Sequence, residues 1–462
     1  MPVRLRPTTH LVLATLGLLW LGAVASSVHY RDITWLQYLF VDVTWIQAVL
    51  LIAGAYGALL VVAGAFSRPH PVPSPRGPLP LISIVVPAKN EEAVIEATVR
   101  SLCAMDYVED GQQRFEVVVV DDRSTDGTAG ILKRLARERS ITVVQTPEGS
   151  FGKAAALNLG IARSRADIIA VFDADARVGP EFLRRMVPFL AEAGVGGVQA
   201  RRVLYNAGQN AVTRLQDDEY RLFQRALQRA RRALGGMVCF SGNGLLLRRE
   251  ALDEVGGWNE DALTEDIDLS VRFHLAGWEI RYCDEALVWE EAVTQLRPLV
   301  RQRVRWFEGA FRCLGDHLPA ILFGRVPVFK RIDMLFFLGG ALVVTTALLT
   351  TYLYALVDLA GGVVLYLQLP RRITTVASAA ITGSVLVGLL AEHHRRLPAV
   401  GLSLARTAAF SLARLIIMPL AVVRYVRSAI TGETSWEKTA HGGSGDTRVW
   451  TFHPGTPPKD EG

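Results

Sequence analysis

The sequence predicts an α/β domain built on a mostly parallel sheet and flanked by transmembrane helices. Two patterns carry that reading. Through the middle of the chain, short apolar β-branched runs alternate with helical stretches, and four apolar runs without a charged residue lie on either side. Strands that are apolar throughout are buried on both faces, as crossover helices bury a parallel sheet.

Leu11–Val28, Trp45–Phe66, Met334–Val357 and Ile373–Ala391 are the charge-free runs. Each approaches the roughly 20 residues a helix needs to cross a bilayer. One such run could be a soluble core helix; four together point to membrane. The first also has signal-peptide features, with Arg4 and Arg6 ahead and Ala23–Ser27 behind. An uncleaved span is favoured, which makes residues 1–66 two N-terminal transmembrane helices. Retained or cut, the topology is the same: the second span returns the chain to the cytoplasm, and Ser67–Leu322 lies inside. Arg4, Arg6, Arg68 and Arg76 flank the inner ends, while His29–Thr44 holds only Arg31. Arg371 and Arg372 depart from that rule, because a simple hairpin places them outside.

Residues 67–80 form a Pro-rich linker. A soluble domain over 81–315 follows, with strands at Ile82–Val86, Val117–Val120, Ile141–Val144 and Ile168–Phe172. Helices are predicted at Glu91–Leu102, Gly127–Arg139 and Ala154–Ala162. Further on come a long Arg- and Gln-rich helix over Ala211–Ala233, a segment Phe240–Arg248, a helix opened by Thr264, and another at Pro298–Leu314. An interfacial helix is expected over 316–332, and transmembrane and interfacial helices over 333–430. In the last of these, Arg406, Arg414 and Pro419 interrupt Gly401–Val426, which reads as broken helices lying in the interface. A broken fifth span, with the tail outside, is the alternative. The tail, 431–462, is read as cytoplasmic and, from Gly442, disordered.

Cys103, Cys239, Cys283 and Cys313 have no metal-ligand spacing and are expected to be buried free thiols. The net charge of +5 gathers near the membrane ends, at Arg325, Lys330, Arg331, Arg395, Arg396, Arg424 and Arg427. Anionic head groups explain that placement better than nucleic acid, for which no fold motif is present.

Ligands of parallel sheets gather at the carboxyl ends of the strands, where Asp121, Asp122, Asp173 and Asp175 stand. Asp126 reads as a cap for the helix at Gly127. Asp121 and Asp122 remain, and either could accept hydrogen bonds from a nucleoside. Pro87-Ala88-Lys89-Asn90-Glu91-Glu92 occupies the place of a Gly-x-Gly-x-x-Gly turn, which argues against a dinucleotide-dependent oxidoreductase. Asp173 and Asp175, spaced by two on an extended segment, are expected on one side. Their oxygens suit Mg2+ or Mn2+ bridging to a diphosphate, although a lone Asp-x-Asp is more often a turn or cap. Thr264-Glu265-Asp266-Ile267-Asp268 reads equally as an N-cap with first-turn acids and as a helix presenting Asp266 as a general base. Gln302, Arg305 and Trp306 share one side of a helix and offer an amide, a guanidinium and an indole platform. In the bland reading Trp306 and Phe307 are interfacial aromatics and Arg303 contacts phospholipid.

In order, these motifs make Ile82 to about Trp306 resemble membrane-embedded family 2 glycosyltransferases, whose members include cellulose, hyaluronan and poly-N-acetylglucosamine synthases. The resemblance implies a GT-A nucleotide-sugar domain with a UDP-sugar donor, a divalent cation and inversion at the anomeric carbon. It implies that Asp121 or Asp122 contacts the uridine, with Pro87, Asn90, Glu91 and Lys153 around the nucleotide. Lys153 lies in a Gly-Lys-x-x-Ala-Leu-Asn stretch. Asp173 and Asp175 would hold the diphosphate, Asp175 through the metal. Asp266 would be the base, and Gln302 and Arg305 would brace the leaving diphosphate. Trp306, Glu265 and the Ser241-Gly242-Asn243 loop would meet the acceptor. Trp436, Lys438 and Thr439 match a mobile segment that closes over the nucleotide. Many relatives carry Tyr where Lys89 stands.

The first functional expectation is a synthase extending a β-linked polysaccharide at the plasma membrane, with its catalytic domain in the cytoplasm. Because the spans offer little polar lining, it would call for a partner subunit or homo-oligomer. The alternative adds a sugar to diacylglycerol or another membrane lipid. A non-catalytic scaffold is the third reading, and the intact carboxylates speak against it.

Overall fold

The computed structural model describes residues 28–33, 36–42, 44–68, 70–74, 77–149, 152–359, 363–366, 371–392 and 397–431. The first apolar run before Val28, the tail residues Trp436, Lys438 and Thr439, and the stretch from Gly442 lie outside them. The chain forms two compact units. One takes in Arg68–Tyr220 and Met237–Leu299. The other takes in the chain before Arg68, Arg221–Gly236 and the helices from Val300 onward. A continuous 81–315 domain is therefore not how the units fall.

The second of these units contains helix α1 (Thr44–Phe66). Among the described residues this is the one helix long and apolar enough, by length and composition, to cross a membrane.

The first unit is organised by an eight-stranded sheet. Its strands are β1 (Ile82–Ala88), β2 (Phe115–Asp121), β3 (Ile141–Gln145), β4 (Ile168–Val171), β5 (Arg177–Val178), β6 (Val195–Leu204), β7 (Leu245–Arg248) and β8 (Glu279–Glu290). The order across the sheet is β3-β2-β1-β4-β7-β6-β8-β5. β3, β2, β1 and β4 run parallel, β7 enters antiparallel between β4 and β6, and β6 pairs parallel with β8. Successive side chains on a strand point to opposite faces, so a strand buried on both sides must be apolar at every position. In β2, Val117 and Val119 enter one apolar cluster and Val118 and Val120 the other. The parallel register sets Ala88 beside Asp121 and Asp121 beside Gln145, which aligns three strand ends.

Helices α2 (Ile95–Cys103), α3 (Thr128–Glu138) and α4 (Lys153–Ala162) connect these strands. α2 starts later than expected, because Glu91–Val94 form a turn before it. α4 lies close on the sheet: a Cβ at Gly160 would come within 2.4 Å of Val85 Cγ1. The stretch expected as one helix over Ala211–Ala233 is α5 (Ala211–Glu219), a π-helical segment Tyr220–Ala226 and α6 (Leu227–Leu234). Past a short helix over Arg249–Glu254 comes α7 (Glu265–Ala276).

In the other unit α8 (Leu296–Phe323) continues past residue 315, and α9 (Val328–Leu359) begins after a short break, so no separate helix occupies 316–332. α10 (Arg371–Glu392) and α11 (Leu397–Thr431) complete it. α11 runs unbroken through Pro419, contrary to the expected interruption. Proline removes one backbone hydrogen bond and is tolerated where neighbouring groups compensate. The connectors Val28–Ile33, Leu36–Asp42 and Val363–Tyr366 form one three-stranded sheet. Of the cysteines, Cys239, Cys283 and Cys313 are buried and Cys103 is half-buried, all as free thiols.

Candidate active site

At the carboxyl edge of the sheet the loops after β1 and β2 are stitched together. Asn90 and Arg123 take left-handed backbone conformations (φ 53° and 56°). Asn90 Oδ1 accepts the Thr125 N–H at 2.7 Å, and its own N–H donates to Ser124 Oγ. Glu91 N–H donates to Thr128 Oγ1 at 2.7 Å, and Glu92 Oε2 accepts from Gly127 N–H. Asp126 accepts the Thr128 N–H at 3.0 Å, although the helix starts at Thr128 with Gly127, one residue later than expected, at its N-cap.

Asp121 and Asp122 are both buried. Asp121 Oδ1 accepts from Ser124 N–H at 3.0 Å. Asp122 is engaged three ways, by Lys89 Nζ at 3.1 Å, Thr146 Oγ1 at 2.9 Å and Gly152 N–H at 3.3 Å. Lys89 thus offers a counter-charge to a carboxylate.

The centre of the site is Lys153, at the start of α4. Its Nζ lies 2.6 Å from Asp173 Oδ1, 3.2 Å from Glu265 Oε1 and 3.1 Å from the Gly242 carbonyl. Burial opposes its charge, but Asp173 and Glu265 outweigh burial and push the ammonium above the ordinary lysine range. Asp266 is adjacent: a Cβ on Gly242, where φ is +78°, would sit 3.2 Å from both Asp266 Oδ2 and Lys153 Nζ. Burial and the neighbouring Glu265 push the Asp266 carboxyl up to about 6, against the pull of Lys153. A carboxylate there is charged near neutral pH yet basic enough to take a proton.

α7 is tied to the Gly242 loop by Ser270, which donates to the Asp266 carbonyl at 2.6 Å and accepts from Phe240 N–H at 2.8 Å. Thr264 stands at the N-cap position but makes no capping bond, and its buried hydroxyl has no partner among the described residues. The capping account of that motif therefore fails for Thr264.

Asp173 and Asp175 do not lie on an extended segment. Ala174 and Asp175 form a turn, closed by Ala176 N–H to the Asp173 carbonyl at 3.1 Å. The two carboxylates accordingly meet different partners. Asp173 faces Lys153, whereas Asp175 Oδ2 accepts the Glu291 N–H at 2.9 Å. Arg177 holds the turn through the Asp175 carbonyl and Thr98 Oγ1. The donors here are carboxylate oxygens, the chemistry a hard divalent cation requires, and the Asp173 side chain is 32% exposed. By donor chemistry Asp173 and Asp175 suit Mg2+ or Mn2+, while in this structure different partners engage the two carboxylates.

Asn243 is fully buried, with Oδ1 accepting from Asp173 N–H at 3.1 Å and Nδ2 donating to Glu290 at 3.0 Å. It braces Asp173 from behind. Ser241 N–H donates to Gln199 Oε1 at 2.8 Å. Pro87 lies in β1.

Gln302, Arg305 and Trp306 lie on α8, in the unit that takes in the helices from Val300 onward. Arg303 is 2% exposed, its guanidinium 4.1 Å from the centre of the Trp306 ring, and it donates to Gln302 Oε1. A buried side chain covering one face of the indole is no phospholipid contact. Sequence reasoning read Arg303 only as a phospholipid contact, and it missed Ser270, Gln199, Arg202 and Glu290, which no local pattern marks.

Comparisons with known proteins place the chain in a family. Residues 78–309 match the family model described as glycosyltransferase like family 2. The chain is 37% identical to a β-monoglucosyldiacylglycerol synthase from Trichormus variabilis, over 82% of this chain and 81% of that one. It is 29% identical to a poly-β-1,6-N-acetyl-D-glucosamine synthase from Staphylococcus aureus, over 54% of this chain and 59% of that one. A mannosyltransferase from Pyrobaculum calidifontis, solved with GDP-Man and Mn2+, has the same fold at 22% identity. Its TM-score is 0.56, with 82% of this chain and 99% of that one covered. The chain belongs to glycosyltransferase family 2, and its sheet is the GT-A-like sheet of that family.

Proposed function

We propose that this glycosyltransferase transfers a hexosyl group from a nucleoside-diphosphate sugar to the free hydroxyl of diacylglycerol or a related membrane lipid. One observation carries the acceptor: the likeness to the diacylglycerol-glycosylating relative covers four-fifths of both chains, well beyond the domain at 78–309. The likeness to the polymer synthase spans 250 residues, enough for the donor domain and less informative about the acceptor. A polysaccharide synthase, the first expectation from sequence, is thus the second reading.

In the proposed reaction Asp266 takes the proton of the acceptor hydroxyl as that oxygen attacks the anomeric carbon, and the nucleoside diphosphate leaves from the opposite face with inversion. Its carboxyl, near 6, suits a base at neutral pH. Lys153 offers positive charge to the departing diphosphate, and Asp121 or Asp122 meets the nucleoside. Asp173 and Asp175 would hold the Mg2+ or Mn2+, which supplies charge neutralisation when bound. Gln302 and Arg305 are proposed to brace the diphosphate and Trp306 to carry the acceptor. Ser241, Gly242 and Glu265 border the acceptor position, while Pro87, Asn90 and Glu91 shape the nucleotide wall. The chain is proposed to be integral to the plasma membrane through α1, α9 and α10, with the sheet unit in the cytoplasm. The shared sheet of the two connectors supports a common outer side.

Incubation of purified protein with Mn2+, diacylglycerol vesicles and labelled UDP-Glc or GDP-Man tests the reading. Label in the solvent-extractable lipid supports it, and label confined to high-mass glycan overturns the acceptor.

A further inference from the structure

Behind the turn that carries Asp173 lies a buried ion pair that the proposed reaction does not use. Arg202, on β6, donates from Nε to Glu290 Oε2 at 2.8 Å, and Glu290 ends β8. The Tyr220 hydroxyl closes the group, donating to Glu290 Oε1 at 2.7 Å and accepting from Arg202 Nη2 at 2.8 Å. The guanidinium also lies 4.9 Å from the Tyr220 ring centre. The Arg202 and Glu290 side chains are only 10% and 7% exposed. Taking two charges out of water costs several kcal/mol each unless geometry and further hydrogen bonds repay it, and such pairs add little net stability over apolar residues. Stability alone is therefore a weak account of this pair.

Its connections lead to one place. Glu290 Oε2 accepts from Asn243 Nδ2, and Asn243 Oδ1 accepts the N–H of Asp173. Gln199 fixes the same loop from the other side, its Nε2 donating to the Asn243 carbonyl at 2.9 Å and its Oε1 accepting from Ser241 N–H. The Arg202 guanidinium also bears electrostatically on Asp173 and Asp266, so its charge reaches the site alongside the hydrogen-bonded chain. Each link is a directed hydrogen bond, so displacing Glu290 frees Asn243 to rotate and unlocks the Asp173 peptide.

We infer that Arg202, Glu290 and Tyr220 are positioning residues that act through Asn243 to hold Asp173 where the diphosphate and its cation bind. The inference rests on the donor-site reading of Asp173 given above. Arg202 keeps the pair charged: Glu290 is held below the ordinary carboxylate range despite its burial, because Arg202 and the hydrogen bonds from Tyr220 and Asn243 outweigh it.

The test uses the full-length protein in detergent and compares Glu290→Gln, Arg202→Met, the nearly isosteric Tyr220→Phe and, as a control, Asp173→Asn. UDP with Mn2+ is titrated calorimetrically, and donor KM and kcat are measured alongside melting temperature. The relay predicts about tenfold weaker UDP–Mn2+ binding and a matching rise in donor KM for Glu290→Gln, a difference of about 1.4 kcal/mol. A smaller shift in the same direction is predicted for Tyr220→Phe, and kcat at saturating donor should stay within about threefold. Arg202→Lys, which keeps the charge, should restore part of the loss seen with Arg202→Met. Unchanged binding and KM in a folded Tyr220→Phe and Glu290→Gln, with Asp173→Asn impaired, overturns the relay. Unchanged binding in Asp173→Asn overturns the donor-site reading beneath it.

Discussion

Lys153, the first residue of α4, and Asp173, in the loop after β4, are twenty residues apart yet meet at 2.6 Å, and that contact organises the site. Glu265 lies on the other side of the same ammonium, so one cation holds the loop after β4 to the start of α7. Replacing Lys153 with Met leaves Asp173, Glu265 and Asp266 as neighbouring acids without their counter-charge. UDP–Mn2+ binding should weaken by roughly tenfold or more, the scale of truncating one partner of a buried charged pair. Titration of the purified variant checks this, and unchanged affinity would remove Lys153 from the donor site.

Asp266→Asn should preserve nucleotide binding and lose transfer by about 10²–10⁴-fold, the usual contribution of a general base. Retained turnover refutes the role.

The same carboxyl sets an acid limb in the pH profile. The base works only when deprotonated, and its folded value is raised to about 6. kcat/KM should therefore fall as pH drops through that value. In Asp266→Asn the residual activity should lose this limb. A wild-type limb near 4 would contradict the raised value.

Gly242→Ala places a methyl 3.2 Å from both Asp266 Oδ2 and Lys153 Nζ, at a backbone angle that disfavours L side chains. Strain of about 1–2 kcal/mol should fall on the site, and transfer should drop more than stability does. Gly130→Ala, where nothing lies within 4 Å in the interior of α3, serves as a control that should stabilise by roughly 0.5–1 kcal/mol. Equal activity in the two variants would show that the loop does not need its glycine.

Arg303→Leu removes the cation covering Trp306 and the donor to Gln302 Oε1. Desolvated cation–π contacts contribute about 2 kcal/mol, so transfer should fall by about tenfold or more. A fully active variant would mean that Trp306 needs no such support.

Much of the sheet's carboxyl edge was legible because its signals are local. In β2, four consecutive valines are buried on alternating faces, so the strand and the carboxylates at its end could be read directly. The turn at Asp173–Asp175 was not legible: neither Gly nor Pro marks it, and it depends on Arg177 and Thr98. Lys89 looked like a missing aromatic until the fold set it beside Asp122. Arg202 and Glu290 are 88 positions apart, joined only by the pairing of β6 with β8, which no periodicity reveals. Pro419 misled because helix propensity was weighed without the helices that surround α11.

The most direct measurement supplies labelled donor and Mn2+ to vesicles holding either diacylglycerol or the same lipid with its free hydroxyl blocked, and follows label into the organic extract by chromatography and mass spectrometry. The account predicts a hexosyl-diacylglycerol from the first vesicles, nothing from the second, and nothing from either with Asp266→Asn. Equal incorporation into a water-soluble polymer, with or without the free lipid hydroxyl, would contradict it.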